Sequence, residues 1–408
     1  MRAFFFCAML CCVSAQAAPW EFEPPIAVSG DAAQGVFVHL ESAGRKSIAV
    51  SAEWVAVTWE DNRDGVPRCY VSLKTPGQNS FGPALQVSVQ QEAAEPAIVG
   101  LDGGNFALAW EENGRVWVRS LVAKSASLGV PRTLSTRPGT QASLGYAARG
   151  DLYAVWSEQG ARYWQIKLAR LSITGIGTGR GDIHAARAVT VDASALGDQS
   201  YPSIAVEPAG RAVVAWEDRR GGHTRLYSAL SKYGGARIAP SQPLNEAVWR
   251  GQALDFGRGT GVMRVALAAQ GRDGVAAVWA DKRDFQSGYD VYGGFARGPS
   301  FRFGANEKVQ DEFGNNFAQW HPAVAANRAG RVAVVWDDDR EGSPDVWLSW
   351  RNADGWSDDL AVPGASGPGV QSDPSVAMDA AGNLHLAWVE KKDLNSPSSI
   401  RYSFGRVQ

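Results

Sequence analysis

A turn that places an acid and a base just after a Trp recurs along the chain. In four places a Trp is followed two residues later by Asp and four residues later by Arg. An Asp accepts hydrogen bonds from turn N–H groups, and an Arg can pair with that Asp. Because a catalytic group is needed once, we interpret these sets as structural repeat turns, although single members could also rim a ligand pocket. The sets are Trp59, Asp61 and Arg63; Trp216, Asp218 and Arg220; Trp279, Asp281 and Arg283; and Trp336, Asp338 and Arg340.

Two segments that break the repeat contain groups suited to binding sugars. Segment 247–262 contains Trp249 and Arg250, and segment 311–321 contains Phe313, Trp320 and His321. Aromatic faces pack on the C–H patches of sugar rings, while guanidinium and imidazole groups hydrogen-bond to hydroxyls. We predict these residues as ligand-binding. The alternative is that the aromatic side chains form small cores beneath their own loops.

The remaining acids and His residues give no catalytic or metal-binding set. Glu217 and Asp218 are neighbouring acids, as glycoside hydrolysis needs two carboxyls, but adjacent acids on a turn are normally just solvated. The 5 His residues are scattered, so no zinc cluster is indicated. We therefore predict no metal and no cofactor, assign no catalytic residue, and favour a binding protein over an enzyme.

These residues belong to a unit that recurs seven times, marked by an apolar strand ending in Trp. A Gly precedes six of these strands, as a tight hairpin requires, and a first strand that begins with Pro comes before several of them. A third strand and a less regular fourth strand follow. This repeat predicts an all-β, seven-bladed β-propeller of four-stranded antiparallel blades. The repeated residues are Trp59, Trp110, Trp156, Trp216, Trp279, Trp336 and Trp388.

The two ends of the chain predict how the ring closes. The last unit stops after its third strand, at 400–404, without a fourth. Segment 25–29 precedes the first unit and resembles the fourth strands of the other units. We therefore expect this N-terminal strand to complete the last blade, which would remove free sheet edges.

The first residues predict export. Arg2, the apolar stretch 3–13 and the small residues around Ala17 are typical of a secretory signal peptide at 1–17, cleaved after Ala17. Residues 18–408 would then form a single propeller domain with Cys69 as its one cysteine. No second apolar run could cross a bilayer. A formal net charge of −2 without a basic run argues against nucleic acid or an anionic membrane as partner.

The Trp-x-Asp-x-Arg turns, the first strands that begin with Pro and the segment Ala-Asp-Gly-Trp-Ser at 353–357 carry a family resemblance. The chain resembles the sialidase-like, or BNR-repeat, propellers of secreted bacterial proteins. This resemblance implies a propeller fold and a carbohydrate ligand. The chain lacks an Arg-Ile-Pro segment and a complete Ser-x-Asp-x-Gly-x-x-Trp box, so sialidase catalysis is not carried over to it.

We expect a secreted or periplasmic monomer that binds a glycan or an extracytoplasmic protein on the face where the chain enters each blade. One alternative is a glycoside hydrolase or lyase of sialidase-like architecture acting on that face. Another is a scaffold module of a cell-envelope assembly that uses its outer rim. Two carboxyls facing each other in a concave pocket would favour the enzyme, whereas a flat mouth filled by paired Asp and Arg would disfavour it.

Overall fold

The computed structural model describes residues 18–30, 35–40, 44–89, 92–148, 150–175, 181–232, 235, 237–246, 261–283, 288–299 and 301–408. The regular secondary structure in these ranges is almost entirely β-strand, with short 3-10 turns at Ala123–Ser125 and Glu312–Gly314. None of the helices in them has the length and apolar character needed to span a membrane.

The strands form seven antiparallel sheets, which confirms the predicted seven-bladed propeller. We number the blades by the order of their repeated Trp residues. Blade 7 contains both ends of the chain. Its strands are β1 (Trp20–Phe22), β2 (Ile26–Ala27), β32 (Val370–Met378), β33 (Leu384–Lys391) and β34 (Ser398–Val407).

The other six blades follow in chain order. In blades 2 to 5 the outermost strand is split into two short pieces. Blade 1 comprises β3 (Val38–His39), β4 (Ile48–Ser51), β5 (Trp54–Asp61), β6 (Arg68–Lys74) and β7 (Leu85–Gln86). Blade 2 comprises β8 (Ala93–Gly100), β9 (Asn105–Glu112), β10 (Arg115–Val122), β11 (Ser127–Leu128) and β12 (Arg132–Thr133). Blade 3 comprises β13 (Gly139–Ala147), β14 (Asp151–Gln159), β15 (Trp164–Thr174), β16 (Asp182–Ala185) and β17 (Val189–Thr190).

Blade 4 comprises β18 (Gln199–Val206), β19 (Ala212–Asp218), β20 (Arg225–Lys232), β21 (Arg237–Ile238) and β22 (Gln242–Pro243). Blade 5 comprises β23 (Val262–Gln270), β24 (Gly274–Asp281), β25 (Asp290–Arg297), β26 (Arg302–Phe303) and β27 (Glu307–Lys308). Blade 6 comprises β28 (Trp320–Ala326), β29 (Val332–Asp338), β30 (Asp345–Trp350) and β31 (Leu360–Ala361).

Each repeated Trp packs against the blade that precedes it in the ring. Trp110 of blade 2 lies in a cluster with Ala56 and Val71 of blade 1, and Trp59 of blade 1 lies with Ile400 and Tyr402 of blade 7. The second strands are buried on both faces between neighbouring sheets, which is why their sequences are almost uninterruptedly apolar. The seven Trp side chains thus wedge the ring together.

The predicted closure of blade 7 by the N-terminal strand is confirmed. Strand β2 pairs with β34 in the register Ile26 with Tyr402, and β1 extends the pairing, with Trp20 opposite Val407. The Trp20 indole is buried and donates a hydrogen bond to the Gly382 carbonyl at 2.7 Å. The first and last described segments therefore form a single sheet.

The first strands do not begin with Pro as the sequence suggested. Strands β8, β18, β28 and β32 start before their Pro residues and continue through a β-bulge. In each, the residue before Pro has a left-handed φ, such as +49° at Tyr201 and +50° at His321. Strands β13 and β23 have the same bulge without Pro, at Gln141 and Arg264. A bulge leaves one residue out of the ladder, so the missing Pro N–H is harmless inside the strand.

Candidate functional site

The bulges place one polar side chain from each of blades 2 to 7 around the channel. The first strands contact one another in succession around the axis, so they form the channel wall. The bulges lie near the start of these strands, on the face that also carries the turns between the second and third strands. We call this set the mouth ring; its members are Glu95, Gln141, Tyr201, Arg264, His321 and Asp373, all partly exposed.

A second layer of carboxylates supports the ring. In four blades the residue immediately after the repeated Trp is an acid that accepts a hydrogen bond from a ring residue's backbone N–H in the next blade. The pairs are Glu60 with Glu95 at 3.2 Å, Glu111 with Gln141 at 2.5 Å, Glu217 with Arg264 at 2.9 Å and Asp337 with Asp373 at 3.1 Å. Burial raises the pKa of Glu217 and of Asp337. These acids brace neighbouring blades and fix the ring backbone.

Tyr201 and Arg264 form a cation–π pair in the ring. The Arg264 guanidinium lies 3.5 Å from the centroid of the Tyr201 ring, a cation–π contact. The Gln141 side chain accepts a hydrogen bond from the Tyr201 backbone N–H at 2.7 Å. Three successive blades therefore present an amide, a phenol and a guanidinium side by side.

His321 of blade 6, the next ring member after Arg264, lies between two carboxylates. Its Nδ1 is 2.7 Å from Asp337 Oδ1, and its Nε2 is 3.5 Å from Asp373 Oδ1. Burial raises the pKa of Asp337, while the charge and the hydrogen bond of His321 oppose that rise. An imidazole at hydrogen-bond distance from a buried carboxyl can accept or donate a proton in acid–base chemistry.

A segment of blade 1 crosses the channel beneath the ring. The Gly44 carbonyl accepts a hydrogen bond from Ser143 Oγ of blade 3 at 2.9 Å, and the Ser47 N–H donates to Ser375 Oγ of blade 7 at 3.1 Å. Gly44 has φ +104°, and a β-carbon there would lie 2.6 Å from the Val265 carbonyl oxygen. Only glycine fits this position. The mouth therefore has a floor formed by residues 44–47.

An aromatic pair stands beside the ring between blades 5 and 6. Trp320 is 37% exposed, and its ring centroid lies 5.1 Å from that of Tyr289. The Lys282 ammonium lies 5.5 Å from the Tyr289 centroid. Trp320 immediately precedes His321 on β28, so an aromatic surface adjoins the polar ring.

The predicted ligand-binding residues are distributed unevenly. Trp320 and His321 lie together at the mouth, whereas Phe313 is 84% exposed on the 3-10 turn of a loop leading into blade 6. Trp249 and Arg250 lie outside the described residues. Sequence reasoning missed the other ring members, although the residue before each first-strand Pro was a usable signal for Glu95, Tyr201 and Asp373.

The Trp-x-Asp-x-Arg turns use their polar groups locally. In each of the four sets, the Trp indole donates to the Asp at 2.8 to 3.1 Å and the Arg backbone N–H donates to the same carboxylate at 2.9 to 3.1 Å. Each Asp is buried and paired with its Arg. Each Arg guanidinium also lies over an aromatic ring of the third strand. The four contacts are Arg63 over Tyr70 at 4.3 Å, Arg220 over Tyr227 at 4.0 Å, Arg283 over Tyr292 at 3.9 Å and Arg340 over Trp347 at 4.1 Å.

No protein-family model matches the chain, and neither does any curated protein sequence. Among solved structures it is similar to the polysaccharide lyase Uly1, with 10% identity over 91% of each chain and a TM-score of 0.55. It is also similar to the GH93 α-L-arabinofuranosidase of Fusarium graminearum, with 11% identity over 95% of this chain and 98% of that one and a TM-score of 0.44.

A third match is a puromycin-hydrolyzing peptidase of Mycobacterium tuberculosis, with 12% identity over 89% of this chain and 50% of the peptidase and a TM-score of 0.49. The chain spans about half the length of the peptidases it matches. At these identities the likeness concerns the fold alone. The class that fold and site define is a seven-bladed propeller with a polar, partly aromatic channel mouth.

Proposed function

We propose that the protein binds a carbohydrate at the mouth ring. The observation that carries this proposal is the partly exposed Trp320, which packs at an interplanar angle of 48° against Tyr289 and is adjacent to His321 of the ring. A sugar ring can lie with its C–H face on the indole while its hydroxyls reach imidazole, phenol, amide and guanidinium groups. The ring supplies each of these groups from a rigid strand.

The charges at the mouth favour a neutral glycan over a polyanion. Of the described groups, the carboxylates of Glu95 and Asp373 belong to the ring, and the bracing acids lie directly behind it. Arg45 is buried and paired with Glu95 and Glu111, so its charge is already balanced. Arg264 is the one guanidinium among the described ring members, so a sulfated chain or a nucleic acid would meet more acidic than basic groups in the ring and the layer behind it.

The proposal extends to the class of propeller, its export and its oligomeric state. We place the chain among sialidase-like, BNR-repeat propellers, exported after cleavage of residues 1–17 and acting as a monomeric single domain. The Trp-x-Asp-x-Arg turns and the segment at 353–357 support this placement. A protein partner on the same face is the alternative ligand.

A glycan array with the chain beginning at Ala18, followed by calorimetry on the best ligand, tests the proposal. Trp320→Ala should weaken binding at least tenfold, because the sugar loses its stacking surface. Phe313→Ala is the matched control, since Phe313 is more exposed than Trp320 but belongs to a separate loop; it should leave the affinity within twofold. Binding that survives both Trp320→Ala and Tyr201→Ala would overturn the site. An array without any ligand would favour the protein partner.

A second function, cleavage of the bound glycan as a hydrolase or lyase, is favoured by the contact between His321 and Asp337. An imidazole held by a buried carboxyl is suited to acid–base work. Incubation with the best array ligand and analysis of its chain length tests this directly. If cleavage occurs, Asp337→Asn should reduce kcat more than it raises KM, because Asp337 acts on His321 and not on the ligand. Intact ligand after prolonged incubation would leave binding as the whole function.

A further inference from the structure

The opposite end of the channel opens into a cavity. Its volume is about 260 Å³, and residues of five blades line it on the face formed by the hairpins between first and second strands. One residue from an equivalent position of each blade forms the wall, each paired with the residue four before the blade's Trp. These are Tyr146, Val206, Ala269, Ala326 and Met378.

Close packing between blades 1 and 2 confines the cavity to blades 3 to 7. The equivalent positions of blades 1 and 2 are Val50 and Gly100, and a β-carbon at Gly100 would overlap the Val50 carbonyl. Toward the other face, residues 44–47 cross the channel between the cavity and the mouth ring. The cavity is therefore a separate cup and not the far end of an open pore.

The rim of the cup carries two opposite charges on neighbouring hairpins. Arg328 of blade 6 is exposed and forms no ion pair with any described residue. On blade 7, burial opposes ionisation of Asp379, but the nearby His385 imidazole, whose Nε2 lies 3.7 Å from Oδ2, and hydrogen bonds from Asn383 outweigh it and lower the pKa of Asp379 to about 2. Asp379 is therefore ionised over the whole physiological range. The two charges are not paired with each other.

The wall between these charges is mostly apolar and made of small side chains. Val206, Ala269 and Ala326 offer only methyl groups, and the Tyr146 hydroxyl is directed to the Asp102 carboxylate at 2.6 Å. A ligand body in the cup therefore meets hydrocarbon, while hydrogen-bonding capacity lies at the rim. The volume equals that of roughly nine water molecules, below the usual range for larger organic ligands.

We propose that this cup binds a compact zwitterion with a short apolar body, of the class of a free aliphatic α-amino acid. The carboxylate lies toward Arg328, the ammonium toward Asp379, and the side chain on the wall of Val206, Ala269 and Ala326. A ligand with one charge leaves the opposite rim charge unmatched, and an oligosaccharide exceeds the volume. This site lies on the opposite face from the proposed carbohydrate site and is independent of it.

Calorimetry with leucine, valine, leucine amide and N-acetyl-leucine tests the proposal. Leucine and valine should bind saturably, and each blocked analogue should bind at least tenfold more weakly because it lacks one of the charges. Arg328→Gln should weaken leucine binding at least tenfold. Arg272→Gln is the matched control, because Arg272 is exposed on the next hairpin but does not line the cup.

A variant that fills the cup provides a second test of the proposal. Ala269→Phe should abolish leucine binding by occupying the cup, while circular dichroism and glycan binding verify that the propeller remains folded. Leucine binding that persists in Ala269→Phe would overturn the assignment, as would blocked analogues that bind as well as leucine. Trp320→Ala should leave leucine binding unchanged, so failure of this proposal is distinguishable from failure of the carbohydrate site.

Discussion

The Trp-x-Asp-x-Arg turns and the mouth ring are both repeated features of the blades, and they differ in what is repeated. In the turns, backbone and side chains recur together, down to the aromatic ring beneath each Arg. In the ring, the left-handed bulge recurs, but the side chain at each bulge is different. Repetition of a side chain together with its contacts indicates a structural role that is the same in each blade that has it. Repetition of a backbone with unlike side chains indicates a frame that presents different groups to a ligand.

The energetics of the two features point the same way. The turn Asp is buried and satisfies indole, guanidinium and backbone donors, so its removal leaves several of them unpaired. A ring residue holds a left-handed φ that costs roughly 1 kcal/mol for a residue other than Gly. The turns therefore add stability, whereas the ring keeps strained positions whose side chains differ from blade to blade.

Among the changes that separate the two features, removal of a turn Asp should have the largest effect on the free energy of unfolding. Asp218→Ala should lower the free energy of unfolding by about 3 kcal/mol, because Trp216 Nε1 and the Arg220 backbone N–H lose their acceptor. Glycan binding should persist wherever the variant remains folded. Urea unfolding followed by Trp fluorescence measures the change.

Blade 7 provides the control for that measurement. Glu390 occupies the equivalent position, yet Trp388 Nε1 has no hydrogen-bond partner within the described ranges, and Glu390 is only 3.7 Å from partly exposed Arg401. Glu390→Ala should therefore lower the stability by less than about 1 kcal/mol. Equal losses in the two variants would contradict the structural reading of the turns.

The blade architecture was accessible from sequence because it depends on local patterns. A doubly buried second strand must be apolar along its length, and its Trp marks the position where neighbouring blades wedge together. Third strands follow the repeated Trp as predicted, for example at Arg68–Lys74 and Asp345–Trp350, and the N-terminal segment correctly indicated ring closure.

The mouth ring was not accessible in the same way. Its members share a backbone conformation and no side-chain type, and Gln141 and Arg264 lack even the following Pro. Their proximity arises from long-range packing of first strands around the axis. Loops that break the repeat indicated the ring only at His321, where such a loop leads directly into a bulge.

A smaller effect on stability is expected from Asp192, which pairs with the turn residue Arg220 but lies outside its turn. Burial opposes ionisation of Asp192, but hydrogen bonds from Ser241, Ser194 and Arg220 outweigh it and lower its pKa to about 2. Because the folded pKa lies below the ordinary value, Asp192 contributes stability above about pH 4 that is lost as pH falls toward 2. We expect a contribution of about 1.5 kcal/mol, from its charge-assisted hydrogen bonds. Asp192→Asn should lower stability at pH 7 and leave it nearly unchanged at pH 2, as measured by urea unfolding at both pH values. An equal loss at both would contradict the ionised role of Asp192.

The smallest expected effect tests the strain of the ring itself. At His321, φ is +50°, where Gly is relaxed and Ala is not. His321→Gly should be more stable than His321→Ala by roughly 1 kcal/mol, although both lose glycan binding equally because both lack the imidazole. Ala323→Gly, two residues further along β28 and paired with Val335, should instead be destabilising, since Gly weakens an extended strand. If His321→Ala proves as stable as His321→Gly, the bulge is unstrained, and backbone strain would no longer distinguish the ring from the turns.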